Sequence, residues 1–371
     1  MKIDRRLFFN FDWTLLGIVL SISVIGLLNI YSTGFSFGDA RQTPLYIKQA
    51  QWIALGLIFM IVTFSIDYRS ISRYAYLIYG GSLILLIAVF LFGNEARGSQ
   101  RWISLAGFSL QPSELMKLTL IIALARYFDD YKASESYRLR ELAIPLIITA
   151  VPFLLIMKQP DLGTALILLI ILISLSFFIG VKWKSLIIGS SICLMLAPLT
   201  WFFLKDYQKE RILTFLSPER DPLGSGYHII QSMIAIGSGG IFGKGFLKGT
   251  QTQLKFLPEQ QTDFIFSVYA EEWGFLGGLV LVFLFLALIL WGLKIALHSR
   301  DYLGTLISYS ITMFIFWELF INMGMVLGIL PVVGIPLPFL SYGGSSMIVM
   351  MTSVGLLMNV SMRRFILQPK S

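Results

Sequence analysis

Long apolar runs dominate this sequence and limit the folds that it can adopt. A helix needs about 20 mostly apolar residues to cross the hydrocarbon core of a bilayer, and about ten stretches of the chain approach or meet that length. The predicted spans cover residues 13–33, 46–66, 74–93, 112–127, 142–157, 161–180, 185–204, 274–293, 303–328 and 338–361. We therefore predict an all-α integral membrane protein in which residues 1–371 form a single polytopic domain.

The overall composition supports this class. Only 13% of the 371 residues are charged and 56% are hydrophobic, whereas a soluble domain is about 25% charged. A net charge of +8 would suggest nucleic acid as the partner of a soluble protein, but here we assign most of the excess to membrane topology and expect no nucleic-acid partner. The single cysteine, Cys193, lies in an apolar run, which excludes a disulfide framework and a thiolate metal site.

Basic residues indicate the orientation of the chain. With both termini in the cytoplasm, the inner segments hold sixteen Lys and Arg residues and the short outer segments hold five. Because cytoplasmic loops carry the excess of positive charge, this orientation is favoured. It places residues 205–263, between the seventh and eighth spans, outside the membrane as a large extracellular or periplasmic loop.

This loop contains the long polar stretch of the chain. Apolar residues recur with helical spacing in its middle, which predicts an amphipathic segment at 229–247 on the membrane surface. The stretch ends at Asp263, just before the next apolar run, where a carboxylate is either a catalytic group or a helix N-cap. The lone His228 is interpreted as an ordinary loop residue, because no second His or Cys accompanies it in a zinc-binding pattern.

Charged residues inside the predicted spans require a reason, because each costs about 2.5–3.5 kcal/mol on insertion scales. Glu114 and Lys117 lie one turn apart at the start of the fourth span, and they either pair structurally or border a substrate cavity. Asp161 either caps the sixth span or serves the same cavity, and a contact between Lys117 and Asp161 would suit both roles. Glu318 lies deep in the ninth span, without a partner that the sequence identifies.

Several short motifs carry a resemblance to a known family. In order they are GSQRW at 98–102, QPSE at 111–114, QPDLGT at 159–164, DPLGSGYH at 221–228, the loop sequence at 226–266, and INMGMVLGILPVVGIPLPFLSYGGSS at 321–346. Each motif is weak alone, but together they resemble the SEDS family (shape, elongation, division and sporulation), and most closely its RodA branch. Three residues depart from the family pattern: Gln261, Trp273 and Glu318.

The resemblance implies a ten-helix peptidoglycan glycosyltransferase in the cytoplasmic membrane of a bacterium, surrounded by membrane lipid. Such an enzyme polymerises lipid II into glycan strands and works with a class B penicillin-binding protein, which crosslinks them. The essential Asp of the family's TDF motif corresponds to Asp263. Cavity residues of the family correspond to Glu114, Lys117 and Asp161, and the family's Trp of the QRW motif corresponds to Trp102.

The chemistry of the implied reaction suggests roles for these residues. We assign Asp263 as the general base, because an alcohol is a poor nucleophile at neutral pH. The departing undecaprenyl pyrophosphate gains negative charge, for which Arg101, Lys117 and the helix starts at 112 and 161 are candidate partners. A divalent cation, Mg²⁺ or Mn²⁺, is a further candidate, with ligands that the sequence does not identify.

Two other functions stay open at this point. Intramembrane charges and short spans interrupted by proline also suit a lipid II flippase, although no inverted repeat is recognisable and the best carboxylate lies in an outer loop. A third possibility is a scaffold that only activates the penicillin-binding protein. The sequence does not determine the glycan length, the metal requirement, the helices that bind the partner, or a role in elongation as opposed to sporulation.

Overall fold

The computed structural model describes most of the chain: residues 10–34, 44–96, 99–105, 108–132, 137, 141–182, 187, 191, 195, 206–217, 224–254, 256–257 and 259–364. Helices account for nearly all of its regular structure. In chain order they are α1 (Trp13–Gly34), α2 (Leu45–Ser65), α3 (Tyr68–Arg73), α4 (Ala75–Phe92), α5 (Pro112–Asp130), α6 (Ala143–Lys158), α7 (Leu162–Phe178), α8 (Asp206–Leu216), α9 (Ser225–Gly239), α10 (Thr250–Gln253), α11 (Ile265–Leu297), α12 (Tyr302–Val326) and α13 (Gly344–Arg363).

The prediction of an integral membrane protein is confirmed. Within the described part of the chain, six helices are long and apolar enough to cross a membrane, namely α1, α2, α4, α11, α12 and α13. Helices α6 and α7 are apolar but shorter, and they coincide with the fifth and sixth predicted spans. Most of the seventh predicted span, 185–204, lies outside the described residues, as does Cys193.

Helix α5, which coincides with the fourth predicted span, is enclosed by protein. It carries Glu114 and Lys117 near its start, yet both side chains are almost completely buried. The helix contacts α4, α6, α7, α12 and α13, so neighbouring helices cover it on most sides. Charged residues at membrane depth are tolerated where they face a bundle interior and find partners. This explains how a helix with charged residues occupies the middle of an apolar bundle.

A small sheet between α4 and α5 adds to the predicted helices. Strands β1 (Asn94–Ala96), β2 (Ser99–Leu105) and β3 (Phe108–Leu110) form an antiparallel sheet in that order. The three strands are short, and alternation over so few residues gives no periodic signal that distinguishes a strand from a loop. The sheet matters for the site because β2 carries Arg101 and Trp102.

Helix α11 starts earlier than the predicted eighth span. Its apolar run begins at Gly274, but the helix begins at Ile265 and is kinked at Gly274, where the backbone has φ +66°. The additional turns contain Glu271 and Glu272, whose charges ended the apolar pattern of the sequence. Both carboxylates are nevertheless buried in the fold, because polar groups of neighbouring segments contact them.

Helices α8, α9 and α10 belong to the polar stretch between α7 and α11. Helix α9 packs against α11, and it carries the helical pattern that the sequence predicted for the middle of the loop. After α9, Ile241 and Phe242 leave 61% and 79% of their surface exposed. Exposed apolar side chains of this size agree with a position at a lipid surface, and the location of this loop on the outer side of the membrane stays a prediction.

Candidate active site

Asp263 lies in the turn before α11, and this turn forms hydrogen bonds with α12 and with the segment before α13. Its side chain is half-buried, and its main-chain oxygen accepts a hydrogen bond from Asn322 Nδ2 at 3.0 Å. The same amide nitrogen donates to Ile335 O at 2.7 Å. The N-cap residue of α11 is Phe264, whose side chain makes no capping hydrogen bond. Asp263 is therefore the residue before the N-cap position of α11.

The segment between α12 and α13 forms one wall beside the Asp263 carboxylate. Gly334 has φ +76°, and a side-chain carbon built on it would lie 3.4 Å from Asp263 Oδ2. Ser341 Oγ donates to Thr262 O at 2.6 Å, and Tyr342 N donates to Gln261 O at 2.8 Å. This segment therefore fixes the turn that presents the carboxylate.

The role of this segment was not predicted from the sequence, although its motif was quoted. Its glycines and prolines give no periodic pattern, and it contains no charged side chain. A signal was nevertheless present in Gly334, because a glycine between apolar residues often marks a positive φ or a close approach of the backbone.

Asp161 is the centre of a second polar cluster. Its carboxylate caps α7 by accepting from Thr164 N at 3.3 Å and from Thr164 Oγ1 at 3.0 Å. Gln111 Nε2 and Ser113 Oγ donate to Asp161 Oδ2 at 3.2 Å and 3.4 Å, and Arg101 Nη1 lies 3.8 Å from Oδ1. The predicted capping role is present, and the start of α5 and the strand β2 converge on the same carboxylate.

Arg101 is held against the turn before α7. Its Nε donates to Gln159 O at 3.0 Å, and its Nη2 donates to Pro160 O. About a quarter of the Arg101 side chain (27%) is exposed, so the guanidinium remains reachable while its position is fixed. Trp102, the next residue of β2, lies opposite Asn94 in the sheet and is half-buried.

Lys117 forms a buried ion triad with two carboxylates. Its Nζ lies 2.8 Å from Glu114 Oε1 and 2.5 Å from Glu318 Oε1, and it sits 5.2 Å from the centroid of the Phe314 ring. The three charged side chains are no more than 4% exposed. Glu318, whose partner could not be identified from the sequence, therefore pairs with a residue of α5. Among the described residues Lys117 makes no ion pair with Asp161, so the contact that would have suited both roles is not formed.

Helix α12 connects the ion triad to the Asp263 turn. Glu318 and Asn322 are four residues apart and therefore lie on the same face, one turn from each other. Glu318 contacts Lys117, and Asn322 contacts the main chain of Asp263. The predicted site residues thus form two polar clusters and a turn, joined through α5 and α12, rather than one group in direct contact.

The glycine-rich segment after α9 completes the kink of α11. Gly274 interrupts the helical hydrogen bonds, and residues 240–245 supply the missing partners. Four main-chain hydrogen bonds make this contact: Lys244 N to Glu271 O (3.0 Å), Gly245 N to Glu272 O (3.0 Å), Phe275 N to Gly240 O (2.9 Å) and Leu276 N to Ile241 O (3.1 Å). The glycines serve this close backbone approach, because a side-chain carbon on Gly243 would clash with Glu272 O.

Glu271 attaches the rest of this segment to α11. Its Oε1 accepts from Lys244 Nζ at 2.7 Å, Thr250 Oγ1 at 3.1 Å and Gln251 N at 3.0 Å. Its Oε2 accepts from Thr252 Oγ1 at 3.3 Å. This carboxylate is fully buried and holds α10 beside the kink.

The described residues contain no group of three or more His, Cys, Asp or Glu side chains that could hold a metal ion. Mg²⁺ typically combines one or two carboxylates with phosphate oxygens and water, and needs no dedicated protein cage. The requirement for a divalent cation stays a prediction.

Comparison with known proteins identifies the family of the chain. The family described as "Cell cycle protein", which comprises FtsW, RodA and SpoVE, matches residues 12–365. The peptidoglycan glycosyltransferase MrdB of Escherichia coli K12 is 42% identical over 358 residues, covering 96% of this chain and 94% of the relative. The peptidoglycan glycosyltransferase RodA of Treponema pallidum is 35% identical, covering 96% of this chain and 98% of the relative.

Solved structures show the same fold. A chain from a peptidoglycan synthase complex, described for its coordination of polymerization and crosslinking, superposes with a TM-score of 0.81 at 32% identity and covers 96% of this chain and 98% of its own. The rod shape determining protein RodA of Thermus thermophilus gives a TM-score of 0.71 at 30% identity, with the same coverage. The chain belongs to the FtsW/RodA/SpoVE family, which is the SEDS family that its motifs resemble.

Proposed function

We propose that this protein is a peptidoglycan glycosyltransferase that polymerises lipid II at the outer face of the bacterial cytoplasmic membrane. The observation that carries the proposal is the half-buried carboxylate of Asp263, held at the end of a membrane bundle by Asn322 and by the segment before α13. Relatives over almost the whole chain are named peptidoglycan glycosyltransferases. Both termini lie in the cytoplasm in this proposal.

Asp263 acts as the general base. The 4-hydroxyl oxygen of the acceptor sugar attacks the anomeric carbon of the donor chain, and the bond from that carbon to the undecaprenyl pyrophosphate oxygen breaks. The Asp263 carboxylate takes the proton of the hydroxyl, and the pyrophosphate leaves with the bonding electron pair. Proton transfer to a positioned carboxylate contributes about 10²–10⁴-fold to such a step.

Arg101 is the preferred partner for the departing pyrophosphate. It is partly exposed and fixed by main-chain oxygens before α7. Lys117, the other proposed cation, is buried between Glu114 and Glu318, so its contacts favour the alternative in which it supports the helix bundle. Asp161 already caps the start of α7, which leaves the start of α5, without a side-chain cap, as the better helix terminus for a phosphate group.

An apolar groove offers a path for the prenyl chain of the substrate. It has a volume of about 400 Å³ and lies between α1 and the kink of α11, lined by residues that include Ile25, Leu28, Phe242, Tyr269 and Trp273. Tyr269 and Trp273 follow Asp263 in the chain, within about 15 Å along the axis of α11. A lipid tail in this groove would keep the pyrophosphate near the membrane surface, below the proposed base.

A class B penicillin-binding protein is the proposed partner. The glycan strands must be crosslinked after polymerisation, and the structurally similar chain comes from a complex in which polymerization and crosslinking are coordinated. The partner would supply the transpeptidase, while this chain supplies the polymerase.

Polymerisation of lipid II by the purified protein, with its partner transpeptidase, tests the proposal. We expect Asp263→Asn to abolish glycan synthesis while it preserves folding and partner binding. Glu210→Gln is the matched control, because Glu210 is an exposed acidic residue of the same loop and should leave synthesis unchanged. Full synthesis by a folded Asp263→Asn protein would reject Asp263 as the base.

The two other functions predict different results in the same preparation. A flippase would move lipid II between the leaflets of a vesicle and would produce no glycan strands. A scaffold would need no Asp263 at all. Loss of polymerisation on Asp263 substitution, with a partner that lacks transpeptidase activity, would reject the scaffold.

A further inference from the structure

A second pocket lies at the other end of the helix bundle. It has a volume of about 430 Å³ and is lined by Arg69, Arg73, Arg126, Asp129, Lys132, Asp301 and Leu303. Its Asp301 precedes α12, whereas Asn322, which contacts the Asp263 turn, lies near the end of that helix. At 1.5 Å per residue the two ends are about 30 Å apart. The pocket therefore belongs to the opposite membrane face, which is the cytoplasmic face in the proposed orientation.

Positive charge exceeds negative charge in this pocket. Four cationic and two acidic side chains line it. Arg69 Nε pairs with Asp301 at 2.7 Å, and Lys132 Nζ pairs with Asp129 at 3.1 Å. Arg126 Nε pairs at 2.8 Å with Asp130, which is not part of the lining.

The arginine side chains of this pocket have the chemistry to bind an additional anion. No ion pair within the described part of the chain involves Arg73, whose side chain is exposed. In the ion pairs of Arg69 and Arg126 the nitrogen that contacts the carboxylate is Nε. A guanidinium presents several donors in a planar fork that fits the oxygens of a phosphate.

The surroundings of the pocket place it at the level of the lipid headgroups. Tyr74 follows Arg73 and is 57% exposed, and Tyr131 precedes Lys132 and is 64% exposed. Tyrosine is enriched at the membrane–water interface, where its ring is apolar and its hydroxyl is wet. Basic pockets between membrane helices on the cytoplasmic side are suited to anionic lipid headgroups.

We propose that this pocket binds the phosphate of an anionic phospholipid headgroup, with Arg73 and Arg126 as its principal contacts. The inference goes beyond the proposed function, because it concerns a face about 30 Å from Asp263 and needs no glycosyl transfer. A free phosphate shares the recognition chemistry, but the exposed tyrosines next to Arg73 and Lys132 in the chain favour a ligand whose tails lie in the bilayer.

Thermal unfolding of the full-length protein in detergent tests the proposal. Short-chain phosphatidylglycerol, short-chain phosphatidylcholine and inorganic phosphate are titrated separately, because a ligand that binds only the folded state raises the unfolding midpoint. We expect phosphatidylglycerol alone to raise it. Arg73→Gln and Arg126→Gln should each weaken this binding about tenfold, as expected for the loss of a hydrogen bond to a charged group.

Lys182→Gln is the matched control. Lys182 is an exposed cation on the same face of the bundle. Its main-chain nitrogen donates to Tyr137 O, and the Tyr137 hydroxyl donates to the main-chain oxygen of Tyr131, the residue before Lys132 of the pocket. This variant removes one positive charge without altering the pocket and should bind phosphatidylglycerol as the unaltered protein does. An equal response to phosphatidylcholine, unchanged binding by both Arg variants, or equal stabilisation by inorganic phosphate would each overturn the proposal.

Discussion

The Asn322 side chain holds the main chain of Asp263 to the segment before α13. Its Nδ2 lies 3.0 Å from Asp263 O and 2.7 Å from Ile335 O. Because one amide bridges both segments, the position of the Asp263 carboxylate depends on α12 as well as on its own turn. A small displacement of a catalytic group can cost about 100-fold in rate, so this amide is expected to matter for activity.

Asn322→Ala should lower glycan synthesis per folded molecule at least about tenfold, because it releases the turn that presents the proposed base. It should also destabilise the protein by about 1–3 kcal/mol, since buried carbonyls lose a partner. Thermal unfolding and lipid II polymerisation measure the two effects.

Asn359→Ala separates these effects. Asn359 Nδ2 also donates to two main-chain oxygens, those of Thr63 (2.7 Å) and Ile66, but far from Asp263. Asn359 Oδ1 also accepts from Tyr68 N and Arg363 Nε, so at least the same loss of stability is expected, with nearly full activity per folded molecule. Equal loss of activity in both variants would mean that the Asn322 effect is only structural.

The buried ion triad predicts that the stability of the fold depends on the balance of charge among Lys117, Glu114 and Glu318. Lys117→Met leaves two carboxylates without their cation, and breaking such a buried pair costs about 3–5 kcal/mol. The triple variant Lys117→Met, Glu114→Gln, Glu318→Gln removes all three charges and should recover much of that stability. Thermal unfolding compares the two.

Activity of the triple variant decides between the roles left open for Lys117. Recovery of glycan synthesis together with stability is expected if the triad only supports the bundle, which its burial favours. A stable but inactive triple variant would instead show that at least one of the three charged side chains takes part in the reaction.

The docking of the glycine-rich segment predicts a large effect of a small substitution. A side-chain carbon at Gly243 would meet Glu272 O, and the backbone there has φ +78°, so Gly243→Ala should detach the segment from α11. We expect a loss of about 2–4 kcal/mol, as for other strained or overpacked sites, and faster proteolysis at Lys244 and Lys248.

Gly237→Ala is the control for this substitution. Gly237 lies inside α9, and a side-chain carbon there would meet nothing within 4 Å. Alanine is favoured over glycine in a helix by about 0.5–1 kcal/mol, so stability should be unchanged or slightly higher. Equal destabilisation of both variants would contradict the docking role of Gly243.

The cap of α12 predicts a pH dependence of stability. Burial alone would raise the pKa of Asp301, but the Gly304 N–H and the Arg69 and Tyr68 side chains hold this pKa below its ordinary value. The folded state therefore binds the proton less tightly than the unfolded state. The stabilisation is complete above the unfolded pKa of about 3.9 and is lost as the pH falls through the lower pKa of the folded state.

Asp301→Asn measures this contribution. At about pH 6 the variant should be less stable by about 0.5–2 kcal/mol, the usual value of an N-cap carboxylate. The difference should shrink at about pH 3, where the carboxylate begins to be protonated. A difference that is independent of pH would show that the charge of Asp301 does not stabilise the fold.

The requirement for a divalent cation is tested by chelation. If phosphate oxygens and one or two carboxylates share a Mg²⁺ or Mn²⁺ ion, EDTA should abolish glycan synthesis and added Mg²⁺ should restore it. The unfolding temperature in the absence of substrate should not change, because the described residues form no metal cluster. Full synthesis in EDTA would remove the cation from the proposed reaction.

The sequence by itself determined the membrane class and most of the helices. Hydrophobic burial is additive along a run of about 20 residues. The length and composition of a run therefore suffice to predict a membrane-spanning helix, as α12 and α13 show. Capping is also local, and the predicted cap at Asp161 is present. The three short strands, of which β2 carries Arg101, were not predicted from the sequence. A sheet depends on pairing between segments and not on a long local pattern.

Only the tertiary structure decided which charged and polar groups meet. The sequence placed Glu318 at membrane depth without a partner, and the fold places it 2.5 Å from Lys117, 201 residues away. It also brought Asn322 to the main chain of Asp263 and Glu271 to the segment after α9. Such contacts depend on how helices pack, and the pairing of buried charges is a property of that packing rather than of local spacing.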